Sequence, residues 1–184
     1  ARLREDLLWP AVVYGAPGAA AEAARRAADL DRGGVVHPDL LRGLLQAGAW
    51  LGGPAALDAL VARYRRAAGE HERLAVLAAL GCFQESQALR GAWDFALGEV
   101  PGRIGYVTLT AMAANPAAEG HLWGWWRDSR SRLESLHPLL RERILGALIP
   151  AAGLADPQAV ETDVQELLDE QPPYADALRL EVRD

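Results

Sequence analysis

The feature that most constrains the fold of this 184-residue chain is a phrase that returns five times: an apolar run, a small residue, a short turn, then an alanine-rich amphipathic stretch. The small residues lie at intervals of 37, 29, 34 and 38 residues, at Gly15, Gly52, Gly81, Asn115 and Gly153. A recurrence of roughly 30 to 40 residues, with two helices per unit, is typical of α-solenoids. The spacing therefore predicts an all-α fold of about five antiparallel helix pairs of the HEAT/ARM kind.

Apolar residues at helical spacing define the individual helices, and no stretch has the sustained period-2 alternation of a strand. The predicted helices span residues 2–14, 18–31, 38–52, 54–68, 70–80, 85–98, 103–114, 116–135, 138–152 and 157–170, with a short end piece at 173–182. Gly81 and Gly153 are expected to end helices in the left-handed conformation that glycine adopts most easily. A length of 184 residues fits one helical-repeat domain over residues 1–184.

Composition restricts the class of partner. The net charge is −6 with both signs interspersed, which argues against nucleic acid and against an anionic membrane surface. No apolar stretch approaches the roughly 18 to 20 residues that would cross a bilayer, and the first residues do not resemble a signal peptide. A single cysteine excludes an internal disulfide. We therefore expect a cytoplasmic domain, and its abrupt start in helical sequence favours a fragment of a longer chain.

The sequence contains one incomplete catalytic motif. The stretch 71–75 begins like the His-Glu-x-x-His zinc helix, but Ala75 occupies the position of the second histidine, so no zinc pair can form. The four histidines, His37, His71, His121 and His137, have no regular ligand spacing and are assigned structural roles. Cys82 has no histidine nearby in sequence and is expected to be a small buried apolar residue. No catalytic or metal-binding residue is predicted.

Three tryptophans lie close together on the helix predicted at 116–135. Helical geometry places four residues on one face, which should pack in the core: Leu122, Trp123, Trp126 and Leu133. Trp125 then points towards a neighbouring repeat or a partner. An aromatic cage for a cation is the alternative, but packing between repeats is favoured because the neighbouring sequence supplies no carboxylate beside the rings.

Four motifs in this order resemble the C-terminal helical domain of zinc aminopeptidases of the aminopeptidase N class, in the branch of the endoplasmic-reticulum and puromycin-sensitive enzymes and the tricorn-interacting factors. They are Val36-His37-Pro38-Asp39-Leu40, the stretch from Glu72-Arg73-Leu74 to Ala79-Leu80-Gly81, the helix from Tyr106 to Asn115-Pro116, and Leu122-Trp123 followed by Leu133. The chain departs from the family pattern in three places: Leu41 replaces an arginine, Pro101-Gly102-Arg103-Ile104 replaces Arg-x-Gln-Asp/Glu, and Ser129-Arg130 replaces Asn-Trp.

The resemblance implies a domain that closes the substrate cavity of an aminopeptidase and helps to select peptides, without catalytic residues of its own. Its partners would be the catalytic and N-terminal domains of the complete enzyme and the peptide substrate. No cofactor is expected in this chain, and zinc would be held by the catalytic domain. The alternative is a free-standing HEAT-like scaffold that binds a protein partner.

Three polar residues of one repeat helix are the candidates for facing that cavity: Arg103, Tyr106 and Asn115. Structural roles compete with this interpretation. Asn115 could instead cap the end of its helix, and Arg103 could be a surface charge in the first turn.

Overall fold

The computed structural model describes residues 2–32, 34, 36–170, 172, 174, 175 and 179. Over these residues the chain is all-helical and has no strand, which confirms the predicted fold class. The helices are α1 (Arg2–Val13), α2 (Ala19–Asp31), α3 (Pro38–Gly52), α4 (Pro54–Arg66), α5 (Glu70–Leu80), α6 (Ser86–Gly98), α7 (Gly102–Ala113), α8 (Glu119–Asp128), α9 (Arg130–Glu134), α10 (Pro138–Ala155) and α11 (Pro157–Asp169). The end piece expected at 173–182 lies largely outside the described residues.

The chain forms two compact units, Ala1–Ala92 and Trp93–Asp184. In the first unit α3 is central and packs against α1, α2, α4 and α5. In the second unit α10 is central and packs against α7, α8, α9 and α11. Each central helix therefore contacts elements that are near it along the chain, which is the packing pattern of a solenoid. None of the helices in the described part combines the length and the apolar character that crossing a bilayer requires.

The central helices begin in the same way. His37 precedes Pro38 at the start of α3, and its Nδ1 accepts a hydrogen bond from the Asp39 N–H at 3.3 Å. His137 precedes Pro138 at the start of α10, and its Nδ1 accepts from the Leu139 N–H at 3.3 Å. Proline suits the first turn because it lacks the N–H that would have no partner there. The prediction that these two histidines have structural roles is confirmed.

The core of the first unit is built largely from alanine and leucine on α3 and α5. Ala47, Val76, Leu77 and Leu80 of these helices are fully buried, and so is Phe83 after the end of α5. Alanine has a short side chain and the best helix propensity, so it lets helices approach closely without loss of helical stability. In the second unit, Trp93 and Leu145 are likewise fully buried.

The predicted helix at 116–135 is wrong, because the structure has two helices there. The chain turns at residues 116–118 before α8 starts, and it breaks again at Ser129, whose φ of −106° and ψ of 7° are not helical. The Ser129 hydroxyl accepts a hydrogen bond from the Trp93 indole at 2.9 Å. Serine side chains that bond outside the helix favour such interruptions.

The predicted left-handed caps at Gly81 and Gly153 are also wrong. Gly81 ends α5 with a φ of −83°, and Gly153 lies inside α10, which continues to Ala155. Positive φ occurs among the described glycines at Gly15, Gly18 and Gly53, with values of 68°, 77° and 56°. The repeated phrase thus marks helix ends in four of its five occurrences.

Candidate functional site

Two of the three candidate residues lie in the first turns of α7. Arg103 is exposed in the first turn, and Tyr106 is half-buried one turn later. The Arg143 guanidinium of α10 lies 4.7 Å from the centroid of the Tyr106 ring, which is the geometry of a cation–π contact. The structure therefore places a phenol and two guanidinium groups in the same part of the second unit.

A small cavity of about 160 Å³ adjoins Tyr106. Its lining combines apolar side chains from α6 and its following turn, such as Leu97 and Val100, with Tyr106, Ser135 and the exposed Arg132. Such a cavity is large enough for water or a small side chain. It offers hydrogen-bond donors and positive charge.

Asn115, the third candidate, is fully buried in the turn between α7 and α8. Its Oδ1 accepts a hydrogen bond from the Ala117 N–H at 2.9 Å, and its own N–H donates to the Met112 carbonyl at 2.9 Å. These contacts hold the turn that ends α7. Since the side chain has no exposed surface, any effect of Asn115 on a substrate cavity would have to pass through this turn.

The incomplete zinc motif and the cysteine are not brought into a catalytic arrangement. His71 is exposed, with its Nε2 3.3 Å from the Pro38 carbonyl oxygen. Cys82 is fully buried, and burial raises the pKa of its thiol to about 12. The thiol contacts the Ala78 carbonyl oxygen at 3.3 Å and the Gln46 amide at 3.5 Å. In the described ranges no group of three or more histidine, cysteine, aspartate and glutamate side chains could hold a metal ion.

The tryptophans of α8 form two separate contacts. Trp123 and Trp126 are buried and stacked, with ring centroids 4.8 Å apart. The predicted burial of Leu122 and Leu133 is confirmed, but Leu133 lies on α9 and therefore not on the same helix face. Trp125 points elsewhere, as predicted, but its rings are covered on two sides. It stacks on His121 at 5.2 Å and tilts against Trp93 at 5.9 Å.

Sequence reasoning missed the carboxylate beside these rings. Asp163 of α11 accepts a hydrogen bond from the Trp123 indole at 2.7 Å and pairs with Arg127 at 2.9 Å. The carboxylate meets the indole N–H at the edge of the ring and is already neutralised by Arg127. The arrangement is therefore a packing contact between α8 and α11 and not a cage for a cation.

A second polar network ties α9 to α10 and α11. Arg130 pairs with Glu134 at 2.7 Å and with Glu170 at 2.6 Å. The buried Tyr174 donates its hydroxyl proton to Glu134 at 2.8 Å, and Arg141 lies over its ring at 4.9 Å. Burial and the bond to Glu134 raise the pKa of Tyr174 to about 12. Burial alone would raise the pKa of Glu134, but hydrogen bonds from Arg130 and Tyr174 outweigh it and lower that pKa.

The first unit contains a larger cavity that sequence reasoning also missed. A groove of about 450 Å³ lies among α2, α3 and α4, with leucines such as Leu44 and Leu60 in its lining. Gly48 and Ala59 also line it, and Arg66 of the last turn of α4 lies at it as well. The signal in the sequence was the pairing of glycines on α3 with alanines on α4 at four-residue intervals. We name this cavity the α2–α4 groove.

These observations define an all-helical, solenoid-like domain with a surface groove. Comparison with known families makes this more specific: the chain matches the ERAP1-like C-terminal domain over residues 1–182. The chain therefore belongs to the ERAP1-like C-terminal domain family, the C-terminal domain of ERAP1/aminopeptidase N-like enzymes, and the resemblance stated above is confirmed. No curated protein sequence matches the chain.

Proposed function

We propose that this domain closes the substrate cavity of a zinc aminopeptidase and helps to select the peptides that enter it. The observation that carries the proposal is the family match, which covers residues 1–182. In the complete enzyme the catalytic domain would hold the zinc, and the partners of this chain would be the catalytic and N-terminal domains and the peptide. We also propose a cytoplasmic location.

The second unit supplies the side chains for this role. Arg103 is exposed and Tyr106 is half-buried beside the small cavity, so both are accessible from solvent. Guanidinium and phenol groups can bind peptide carbonyl and carboxylate oxygens without taking part in the chemistry. Asn115 would act indirectly, by fixing the end of α7.

A first experiment measures the isolated 184-residue chain. It should hold no stoichiometric zinc after dialysis and should not cleave aminoacyl anilides, since its only His-Glu start lacks the second histidine. Zinc near one equivalent per chain, together with activity that a chelator abolishes, would contradict the proposal.

A second experiment measures the complete enzyme that contains this domain. Arg103→Gln and Tyr106→Phe should lower kcat/KM for long peptides and leave the hydrolysis of aminoacyl anilides unchanged, because an anilide does not extend beyond the catalytic zinc. Arg65→Gln is the matched control, because Arg65 is an exposed arginine on α4 of the first unit. Equal losses on both substrates would indicate misfolding instead of peptide selection.

The gene itself separates the proposal from the scaffold alternative. An open reading frame that continues upstream into His-Glu-x-x-His would support the aminopeptidase, whereas a start codon just before Ala1 would favour a free-standing scaffold.

A further inference from the structure

Glycine and alanine residues of α3 and α4 line much of the α2–α4 groove. A Cβ atom at Gly48 would meet nothing within 4 Å, although Gly48 lies in the middle of α3. A glycine inside a helix costs about 1 kcal/mol relative to alanine. A larger side chain would therefore fit at Gly48 and would strengthen α3, yet the position is a glycine and the groove stays open there.

The apolar lining requires an apolar occupant. Leu44 is 1% exposed and Leu60 is 7% exposed, and both contribute to the lining together with Ala55 and Ala59. Apart from Arg63 and Arg66, the lining residues offer few hydrogen bonds to a polar ligand. Extended peptide backbone is also disfavoured, because its N–H and C=O groups would lose water without finding partners.

A helix avoids this penalty, since its backbone groups are bonded internally. The small residues of the groove recur every four residues along each wall, at Gly48 and Gly52 on α3 and at Ala55 and Ala59 on α4. This interval is close to one helical turn of about 5.4 Å, so side chains of a docked helix at i and i+4 would meet Ala55 and Ala59 in turn. On α3 the space is open at Gly48 but not at Gly52, where a Cβ atom would lie 2.9 Å from the Ala56 side chain.

An arginine at the groove favours an occupant with a negatively charged group. Arg63 lies at the groove but is held by Glu72, with an N–O distance of 2.8 Å. Arg66 is exposed at the same groove and has no ion-pair or hydrogen-bond partner among the residues that the structure describes. The whole chain carries a net charge of −6, so this cationic end is a local feature.

We propose that the α2–α4 groove docks an amphipathic helix of another polypeptide, with leucine-type side chains on one face and a glutamate or aspartate at the end that meets Arg66. This inference concerns a protein partner and does not depend on the proposed part in peptide selection. Helix-in-groove recognition of this kind uses apolar anchors at i, i+3, i+4 and i+7.

The test uses a synthetic probe of about 15 residues, long enough to hold a helix. The probe is blocked at both ends, carries leucines at i, i+3, i+4 and i+7 and one terminal glutamate, and is labelled for fluorescence anisotropy. Saturable binding to the chain is expected. Gly48→Leu should weaken binding by at least about tenfold by filling the groove. Ala59→Glu, at an exposed position, should do the same because the new carboxylate would lose water against the leucines of the probe, and it keeps the test valid if Gly48→Leu does not fold.

A second comparison tests the charge. Arg66→Gln should weaken binding about two- to fivefold for the glutamate probe and not for its glutamine version. Arg65→Gln is the matched control and should bind like the unaltered chain. The proposal is overturned by an absence of saturable binding, by binding that survives Gly48→Leu and Ala59→Glu, or by tighter binding of a probe with alternating, strand-like periodicity. A dimer of this chain that either groove substitution dissociates would also overturn it, by identifying a second copy as the occupant.

Discussion

The Trp123 side chain combines ring stacking with a hydrogen bond. It is 7% exposed, stacks on Trp126 and donates its indole N–H to Asp163. Trp123→Ala should therefore lower the free energy of unfolding by about 3 to 5 kcal/mol, because it leaves a cavity and removes a partner of a carboxylate. Urea denaturation measures this loss.

Trp125→Ala is the comparison, since Trp125 is on the same helix but only half-buried. Its loss should be about 1 to 2 kcal/mol, through the contacts with His121 and Trp93. Equal losses at the two positions would show that the face of Trp125 is packed as tightly as that of Trp123.

Gly53 has a conformation that other residues rarely adopt, with a φ of 56° and a ψ of −152°. A Cβ atom there would also come within 3.1 Å of the Glu85 carboxylate. Gly53→Ala should destabilise the chain by about 1 to 3 kcal/mol. Gly124→Ala is the control, since Gly124 lies inside α8 with nothing within 4 Å of a new Cβ, and it should stabilise by about 0.5 to 1 kcal/mol. The prediction would be contradicted if both substitutions shifted the thermal unfolding midpoint in the same direction.

Residue burial was predictable where it depends on local periodicity and not where it depends on distant partners. The burial of Leu122, Trp123 and Trp126 follows from helical spacing within α8, whereas Leu133 is buried on α9, beyond the break at Ser129. Asp163 lies 40 residues after Trp123, so nothing near the tryptophans in the sequence could reveal it. The conformation of Gly81 was likewise hidden, because a helix can end at a glycine without entering the left-handed region.

A buried hydroxyl group lies at the break between α8 and α9. Ser129 is 6% exposed and accepts the hydrogen bond of the buried Trp93 indole. Ser129→Ala improves helix propensity, yet it should destabilise the chain by about 1 to 3 kcal/mol because it leaves a buried N–H without a partner. Ser131→Ala, at an exposed position, should have a small effect in urea denaturation. Stabilisation by Ser129→Ala would mean that propensity outweighs the bond to Trp93.

Element boundaries show why the sequence located most helices but fused two. Helices α3 and α5 have the predicted bounds, because a proline or a glycine marks their ends. The residues around 129 contain no proline or glycine, and their apolar spacing continues to Leu133. At the interruption Ser129 bonds to Trp93, which belongs to a different helix and lies 36 residues away in the sequence.

The network that ties α9 to the chain beyond α11 should respond to pH in a defined direction. The pKa of Tyr174 is raised from its ordinary value of 10.0 to about 12, so the folded state favours the neutral phenol. Its contribution to stability is fully present below pH 10.0 and is lost as the pH rises through about 12. Urea midpoints measured across this range should fall less in Tyr174→Phe than in the unaltered chain.

Glu134 responds in the opposite sense. Its pKa is lowered from the ordinary value of 4.5, so its contribution is present above pH 4.5 and is lost as the pH falls through the lower folded value. Glu134→Gln should therefore reduce the loss of stability in acid. An acid profile identical to that of the unaltered chain would show that the ion pairs with Arg130 are not formed in solution.

At the scale of the whole molecule, the sequence predicted the fold class and the family, and it did not predict the groove. The repeat interval and alanine content are properties of the entire chain and survive errors in single helices. A groove is the space that three helices leave between them, so it depends on how closely α2, α3 and α4 approach. That distance is set by packing and is not encoded in any one motif.

The buried position of Cys82 makes its labelling rate a measure of how often the first unit opens. A thiol that is fully buried, with its pKa raised to about 12, cannot attack a disulfide reagent while the first unit remains closed. The rate at which an aromatic disulfide labels the protein therefore counts openings of that unit, in the same way that amide exchange counts openings of a helix. Since the chain has one cysteine, the labelling rate reports on the surroundings of Cys82 alone. A helix bound in the α2–α4 groove should lower the rate of Cys82 labelling. Binding could therefore be detected without any label on the partner.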